Sequence, residues 1–367
     1  MKKEYFFSGM LTVLLFCGVA SCKKKAVVIN GSLTQTPRVV KEGLEFPWEI
    51  VWGSDGKIWM TERIGRVSRI DPASGNTEFS FMIDEVLPMG EGGLLGMALH
   101  PAFSGNGFIY LVYNYDNGDG YKEKLVRYTY SNNTLTNATV LLDDIPASGK
   151  HNGSRLWITN EAAPKIFMTT GEAGDQAAAQ KTNSLSGKVL RLNIDGSIPA
   201  DNPVPGDPVW SYGHRNPQGL VMANGMLYSS EHGAGVEDEI NIIEKGRNYG
   251  WPLVLGPCDV DEGRFCKEAN VKEPLWSSGR GTVATCGLEY YNHDLITQWK
   301  NSLLLATLKD KTLWQLQLDA TGEHVINTTI YLRGHFGRLR DLCISPQGKV
   351  YLCTSNGNND KIIEISG

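Results

Sequence analysis

The segment FPWEIVWGSDGKIWMTE, residues 46–62, decides the fold of this chain. An apolar stretch is followed by a tight polar turn and a second apolar stretch, which is typical of two strands joined by a hairpin. The pattern occurs five more times. The further copies are GLLGMALHPAFSGNGFIYLVYN (93–114), SRLWITNEAAPKIFMTTGE (154–172), NPQGLVMANGMLYSSEHG (216–233), LEYYNHDLITQWKNSLLLATLKD (288–310) and LRDLCISPQGKVYLCTSN (339–356).

The spacing of the copies predicts a β-propeller. Their second strands begin near Ile58, Ile109, Ile166, Met226, Leu303 and Val350, at intervals of 47 to 77 residues. Further strand-like runs lie between the copies, for example GRVSRID (65–71) and KVLRLNI (188–194). A unit of about four strands that recurs roughly every 50 residues is typical of a propeller blade. We therefore predict an all-β, six-bladed propeller of four-stranded antiparallel blades over residues 39–367.

The composition agrees with many short strands joined by tight turns. Of the 367 residues, 41 are Gly, 14 are Tyr and 9 are Trp, a mixture that favours strands and turns over helices. The formal net charge of −5 argues against nucleic acid as a partner.

The first 22 residues resemble an export signal. Lys2 and Lys3 precede an apolar run, 6–20, that is too short to span a membrane comfortably. The run ends in VASC (19–22), which resembles a bacterial lipobox, although an ordinary signal peptide with an incidental cysteine is the alternative. We predict an exported lipoprotein that is anchored through Cys22 and faces the periplasm or the cell surface. Residues 23–38 are then a linker.

Export also affects how the remaining cysteines are interpreted. Cys258 and Cys266 lie in one loop, GPCDVDEGRFC (256–266), where a local disulfide is plausible in an oxidising compartment. A zinc site is less favoured, because no second Cys or His pair with ligand spacing is near. Cys286, Cys343 and Cys353 lie in apolar strand-like runs and are expected to be buried thiols.

The hairpin repeat locates a candidate site, because the residues before a first strand and after a second strand lie at the same end, opposite the turn. The turns at the other end, such as SDG and ANG, have ordinary turn chemistry. Before first strands stand Glu91, Lys150, His151, Asn152, Arg215, Asn216, Arg338 and Arg340, and after second strands stand Arg63, Glu172, Glu231, His232 and Lys309. One rim of the channel is therefore rich in polar and charged side chains, as functional ends of such scaffolds are.

Four cations of this rim, Arg215, Lys309, Arg338 and Arg340, indicate a shared anionic ligand with carboxylates or phosphates. The alternative is that each cation forms a structural salt bridge. His151 is taken as the only histidine of the rim that precedes a first strand. With Glu172 orienting one ring nitrogen, His151 could act as a general base.

A third group of candidates surrounds the turn EHGAG, residues 231–235, which three acidic residues, 237–239, follow. Its main-chain carbonyl oxygens could bind a hard cation such as Ca²⁺. A loop with solvated acids is an equal alternative.

Several segments resemble the PQQ-dependent soluble glucose/aldose sugar dehydrogenases, also labelled glucose/sorbosone dehydrogenases. The matching segments, in family order, are GEGGLLGMALHPAF (90–103), KHNGSRLW (150–157), LSGKVLRLNIDGSIP (185–199), GHRNPQGL (213–220), EDEINII (237–243), GRNYGWP (246–252), LLLATLK (303–309) and RLRDLCISPQGKVYL (338–352). The resemblance implies a propeller that binds pyrroloquinoline quinone (PQQ), whose three carboxylates would account for the cationic rim.

The resemblance also implies roles for individual residues. Lys309, Arg338 and Arg340 would hold the carboxylates of PQQ, Glu91 would contact it, and Arg215 and Asn216, across the channel from His151, would lie over its reactive carbonyl. The carbonyls of Gly233 and Ala234 would bind a Ca²⁺ that touches the quinone, and Glu239 with the Tyr249 main chain would form a second calcium site. His151, oriented by Glu172, would take the proton of a sugar C1 hydroxyl as hydride passes to the quinone, and an external acceptor would then receive the electrons.

Three positions depart from the family pattern. Glu91 stands in place of a Gln, Ala234 in place of a Pro, and Glu172 in place of an Asp. Glu91 should weaken the binding of an anionic cofactor unless Lys150 or another cation offsets its charge. Two other functions stay open: a cell-surface propeller that binds glycans or protein without redox turnover, and a lactonase or other calcium hydrolase.

Overall fold

Six sheets, each built on four antiparallel strands, form a closed ring in a computed structural model that describes residue 1 and residues 28–367. The predicted all-β six-bladed propeller is confirmed. The predicted signal sequence and Cys22 lie outside the described residues. The second strands begin within one residue of the predicted positions, because each hairpin has a clear local pattern of apolar strands and a polar turn.

The blades follow one another in chain order. Blade 1 comprises β3 (Pro47–Trp52), β4 (Ile58–Glu62), β5 (Arg66–Ile70) and β6 (Thr77–Met82); blade 2, β7 (Leu94–Leu99), β8 (Phe108–Asp116), β9 (Tyr121–Ser131) and β10 (Thr134–Pro146); blade 3, β11 (Gly153–Ile158), β12 (Lys165–Thr170), β13 (Lys188–Asn193) and β14 (Val209–Tyr212). Blade 4 comprises β15 (Pro217–Ala223), β16 (Met226–Glu231), β17 (Glu239–Ile243) and β18 (Trp276–Ser277); blade 5, β19 (Thr285–Tyr291), β20 (Ser302–Thr307), β21 (Leu313–Leu318) and β22 (Val325–Tyr331); blade 6, β23 (Leu339–Ile344), β24 (Val350–Thr354), β25 (Asp360–Ile365) and β2 (Arg38–Leu44).

The amino-terminal part of the described chain completes two blades. Strand β2 pairs antiparallel with β25 at the outer edge of blade 6, with Arg38 opposite Glu364. Strand β1 (Val28–Asn30) adds a parallel fifth strand to blade 5. This strand falls inside the expected linker, and its three residues are all exposed, so no buried apolar pattern marks it in the sequence.

The hydrophobic core is divided into clusters that lie between neighbouring blades. Between blades 1 and 2, for example, the Trp59 ring packs edge-on against Phe103 and Tyr130, with centroid distances of 5.3 and 4.8 Å. Equivalent clusters join the other neighbouring blades around the ring. Since a single sheet cannot bury its own faces, these clusters hold the blades together.

The first strand of each blade lies innermost. Each first strand contacts the first strands of both neighbouring blades, and β23 contacts β3 to complete the circle. The segments that enter these six strands therefore meet at one end of a central channel, which is where the candidate site lies.

Helices are short in the described chain. They are α1 (Phe103–Asn106), α2 (Gly263–Glu268) and two 3₁₀ turns, Gln176–Gln180 and Thr297–Trp299. Among the described residues, none of the helices has the length and apolar character needed to cross a membrane. Cys258 and Cys266 form a disulfide beside α2, and Cys286, Cys343 and Cys353 are free and buried, as predicted.

Candidate active site

A cavity of about 460 Å³, called here the rim cavity, lies at the end of the channel where the first strands begin. Its polar lining consists of Arg63, Glu91, Gln218, His232, Arg338 and Arg340, and Phe46 and Trp48 add aromatic surface. These residues come from blades 1, 2, 4 and 6 and the segments that enter them. The hairpin repeat selected the same end of the molecule.

Guanidinium groups dominate this cavity, and their hydrogen bonds go to neutral groups. The Arg340 Nη1 atom donates to Gln218 Oε1 at 2.9 Å, and its Nε is buried without a hydrogen-bond partner. Arg338 Nε donates to the Ser355 carbonyl oxygen at 3.2 Å, and Arg63 donates to main-chain carbonyls of residues 90 and 92. Burial and the nearby charge of Arg340 lower the pKa of both Arg63 and Arg338. An anion bound here would relieve that repulsion and supply the missing acceptor.

Lys309 lies differently from the other predicted cations. Its side chain is exposed and donates from Nζ to Thr282 Oγ1 at 2.6 Å. The preceding residue, Leu308, lines the rim cavity. The structure therefore brings Arg338 and Arg340 together in the cavity wall and places the Lys309 ammonium group at its margin.

His151 lies between Glu172 and Arg215. Its Nδ1 is 2.5 Å from Glu172 Oε1, and its Nε2 is 3.1 Å from Arg215 Nη2. Since a guanidinium can only donate, Nε2 accepts and Nδ1 carries the proton, so the imidazole is neutral. We expected Arg215 across the channel from His151. That expectation is wrong, because the loops before β11 and β15 belong to adjacent blades and meet directly.

The surroundings of Glu172 hold it ionised. Although burial alone would raise the pKa of this carboxyl, the hydrogen bond from His151, the Gly174 N–H and the charge of Arg215 lower it below its ordinary value. Glu172 Oε2 is buried without a hydrogen-bond partner. A carboxylate of this kind can orient His151 and stabilise it once it has gained a proton.

Asn216 ties two blades together rather than facing the cavity. Its Oδ1 accepts from the Gly153 N–H at 3.1 Å, and the residue is buried. This contact fixes the loop of His151 to the loop of Arg215. The structure thus places Asn216 beside the predicted catalytic pair, where it positions the main chain.

The prediction that His151 is the only histidine before a first strand at this rim is wrong. His214 precedes β15, but it is completely buried between Glu231 Oε2 and Ser211 Oγ, both 2.9 Å away. His232, after β16, lines the rim cavity. Burial, together with the charges of Arg340 and Arg215, lowers the pKa of His232 to about 3, so this ring stays neutral.

Glu91 is tied to the loop of His151. Its Oε2 accepts from the His151 main-chain N–H at 3.2 Å. Gly90 and Gly149 approach each other closely at this point, since a Cβ on Gly90 would lie 2.1 Å from the Gly149 carbonyl oxygen. The carboxylate also acts favourably on the charged forms of Arg63, Arg215 and Arg338. Its charge is thus partly offset by cations in the same cavity.

Three of the four proposed calcium ligands, Gly233, Glu239 and Tyr249, line a smaller cavity of about 20 Å³, which Arg215 also lines. Its lining includes Gly233, Glu231, Glu237, Glu239 and Tyr249, whereas Ala234 is exposed in the adjoining turn. Burial and the charges of Glu231 and Glu237 raise the pKa of Glu239 to about 8, so a cation is favourable here. In the described part of the chain, no three His, Cys, Asp or Glu side chains form a ready metal cluster. Main-chain carbonyls would have to complete any calcium site.

Trp48, Arg63, Gln218 and His232 are among the lining residues that had no role assigned from the sequence. Arg63 and His232 follow second strands, and the hairpin repeat predicted their place at this rim without giving them a role. Trp48 and Gln218 belong to first strands, whose side chains alternate in direction, so one side of each strand faces the channel.

Comparisons with known proteins agree with this geometry. Residues 44–364 match the family model described as Glucose / Sorbosone dehydrogenase. Quinoprotein glucose dehydrogenase B of Acinetobacter calcoaceticus is 33% identical, with 88% of this chain and 86% of that protein covered. Aldose sugar dehydrogenase YliI of Escherichia coli strain K12 is 30% identical, with 91% and 93% covered. The structure of the PQQ-bound aldose sugar dehydrogenase from Streptomyces coelicolor has a TM-score of 0.78 and 30% identity, with 89% and 96% covered.

Proposed function

Since this chain belongs to the glucose/sorbosone dehydrogenase family, whose PQQ-dependent members oxidise sugars, we propose that it oxidises an aldose at C1 to the lactone and passes the electrons to an external acceptor. One observation carries the proposal. A neutral histidine, held by a carboxylate on one side and a guanidinium on the other, lies beside a cavity lined by guanidinium groups.

The residues present fit PQQ. A tricarboxylate needs several cationic donors in a cavity of ligand size, and the rim cavity offers three guanidinium groups and an unpaired Arg340 Nε. Arg338, Arg340 and Arg63 would hold the carboxylates, and Lys309 would contribute from the margin. When bound, the quinone supplies the hydride acceptor that the protein's own side chains lack.

The chain's own residues would move the proton. His151 Nε2 is the acceptor, and it must exchange its contact with Arg215 for the C1 hydroxyl of the sugar. Arg215 would then be free to stabilise negative charge that develops nearby. The Glu172 carboxylate keeps the proton on Nδ1 and stabilises the imidazolium that forms.

We place calcium near the carbonyls of Gly233 and Ala234, with a second ion at Glu239 and the Tyr249 main chain. Two features support these sites. A Cβ on Gly233 would lie 1.9 Å from the Val236 carbonyl oxygen and 2.5 Å from that of Glu237, so oxygen atoms crowd this turn. The Glu239 carboxyl, with its raised pKa, gains stability in its charged form when a cation is near.

Reconstitution tests the function directly. Purified protein is loaded with PQQ and Ca²⁺, and dye reduction is followed with a panel of aldoses while the product is identified as lactone or acid. We expect sugar-dependent reduction, and none with sugars whose anomeric hydroxyl is methylated. A protein that binds sugars but takes up no quinone and reduces no dye would instead be a binding propeller.

Export and lipid attachment at Cys22 remain part of the proposal. They rest on residues 1–22 of the sequence. Mass spectrometry of the amino-terminal peptide from the native host should show diacylglycerol on Cys22, and Cys22→Ala should release the protein from membranes. An unmodified Cys22 in mature protein would contradict this part.

A further inference from the structure

A second cavity, called here the distal cavity, opens at the opposite end of the channel. Its volume is about 470 Å³, and it runs from buried residues such as Glu49 and Arg155 to the exposed Asn160. Its floor is charged and its mouth is aromatic. The hairpin turns at this end have ordinary turn chemistry, so the sequence predicts no site there.

The floor holds a buried guanidinium with a free donor. Arg155 is 3% exposed. Its Nη1 bridges Glu49 Oε1 and Asp341 Oδ2, each at 2.9 Å, and its Nε donates to the Gln218 carbonyl oxygen at 2.8 Å. The remaining Nη2 is buried and has no hydrogen-bond partner. Buried donors are rarely left unpaired, so this atom indicates a polar ligand in the cavity.

The charge of the floor favours a neutral ligand. Burial raises the pKa of both Glu49 and Glu289 to about 8, against the opposing effect of Arg155. Burial also raises the pKa of Asp341, so ionisation of all three floor acids is disfavoured and few negative charges stand beside the single cation Arg155. Protonated carboxyls both donate and accept hydrogen bonds, as hydroxyl groups require.

Aromatic rings form the walls. Trp52, Trp157 and Tyr290 stand at the ends of three first strands, and all three are half-buried. One face of Trp52 is stacked on Tyr351, with ring centroids 5.4 Å apart, and the three side chains add aromatic surface to a cavity whose deeper residues are charged. A pyranose ring has the matching character, because its C–H faces are apolar and its hydroxyls both donate and accept.

We propose that the distal cavity binds a neutral pyranose, at a site separate from the rim cavity. Trp48, Gln218 and Arg340 lie between the two cavities: the Gln218 carbonyl accepts from Arg155, while its side chain accepts from Arg340. Arg155 also lies 4.4 Å from the Trp48 ring centroid, measured from its Cζ. The distal site is therefore separated from the rim cavity by one layer of side chains.

Titration calorimetry with methyl glucoside tests the proposal, because this sugar lacks the free anomeric hydroxyl needed for oxidation at C1. The full chain is compared with Trp157→Ala and Trp52→Ala, which change the mouth without touching the Arg155 network. Trp210→Ala is the matched control, since Trp210 is a half-buried tryptophan on β14, away from this cavity. A His151→Ala protein reports binding at the rim.

We expect saturable binding that weakens about tenfold in both mouth variants, which corresponds to roughly 1.4 kcal/mol. Binding should be unchanged in Trp210→Ala and in His151→Ala. If the proposed function holds, Trp157→Ala loaded with PQQ should still reduce the dye. The calorimetric test of the distal cavity does not require dye reduction, so failure of the proposed function and failure of this proposal can be told apart. The proposal is overturned if no sugar binds, if only His151→Ala weakens binding, or if tetramethylammonium binds in place of the sugar.

Discussion

Two histidine–glutamate pairs lie at the same rim in adjacent blades, yet their surroundings differ. In blade 3, the His151 side chain is 17% exposed and its Nε2 meets Arg215 beside the rim cavity. In blade 4, the His214 side chain is 0% exposed and its Nε2 meets Ser211. In both pairs a carboxylate oxygen contacts Nδ1. The same pair of side chains can therefore serve chemistry or packing, according to what the second nitrogen faces.

The two pairs are also connected. Glu231, which holds His214, accepts from the main-chain N–H of Arg215, and Arg215 in turn contacts His151. The His214–Glu231 pair thus positions the Arg215 guanidinium, which contacts His151. Changing each pair separately should distinguish a catalytic residue from a positioning residue.

The largest effect is expected for His151→Ala. Loss of the proton acceptor should reduce turnover by about 10³-fold, because general-base catalysis contributes on this scale. Quinone binding, measured by titration of its absorbance, should stay close to that of the unchanged protein. Turnover within tenfold of the original would rule out His151 as the base.

His214→Leu should act on stability instead. Removing one partner of a buried hydrogen-bonded pair leaves the Glu231 carboxylate underpaired and should cost about 3 kcal/mol of unfolding free energy. Urea denaturation measures this loss. The folded fraction should keep most of its turnover, and a loss of turnover as large as that of His151→Ala would mean that the two pairs do not have separate roles.

Glu172→Gln should have an intermediate effect. An amide can accept from Nδ1 but does not stabilise an imidazolium, so we expect turnover to fall, by less than in His151→Ala. The pKa of Glu172 is below its ordinary value of 4.5 in the fold, so its stabilising contribution is present above that value and is lost as the pH falls through the folded pKa. The stability difference between the two proteins should therefore shrink in acid, and a constant difference would contradict this account.

The smallest effect is expected for Glu91→Gln. It removes a negative charge from the rim cavity but keeps an oxygen that can accept from the His151 N–H. PQQ should bind about three- to tenfold more tightly, as measured by titration of the apo-protein. Glu161→Gln, in an exposed turn at the other end of blade 3, is the matched control. Weaker binding by Glu91→Gln would show that the carboxylate itself supports the cofactor.

Local patterns explain what could be predicted from the sequence. The hairpin copies predict the blades, and the ends of the hairpins predict the rim. Both predictions depend only on the order of apolar strands and polar turns along the chain. The exposure of His151 and the burial of His214 depend on packing between blades, so no local pattern separates them. The direct contact of Arg215 with His151 likewise depends on the ring geometry. In the sequence, Arg155 is a single charged residue in an apolar strand. Its contacts with Glu49, Asp341 and Gln218 join different blades, so they can be seen only in the structure.

The outer strand of blade 6 has a consequence for how the chain acquires its structure. Strand β2 must pair with β25, and Arg38 contacts Glu364, a residue near the other end of the sequence. The ring therefore cannot close until the last residues have been synthesised. Until then, the first blade and the most recently formed blade each have a partner on one side only, with an apolar face open to other molecules. A nascent chain of this kind is exposed to aggregation until its two ends meet.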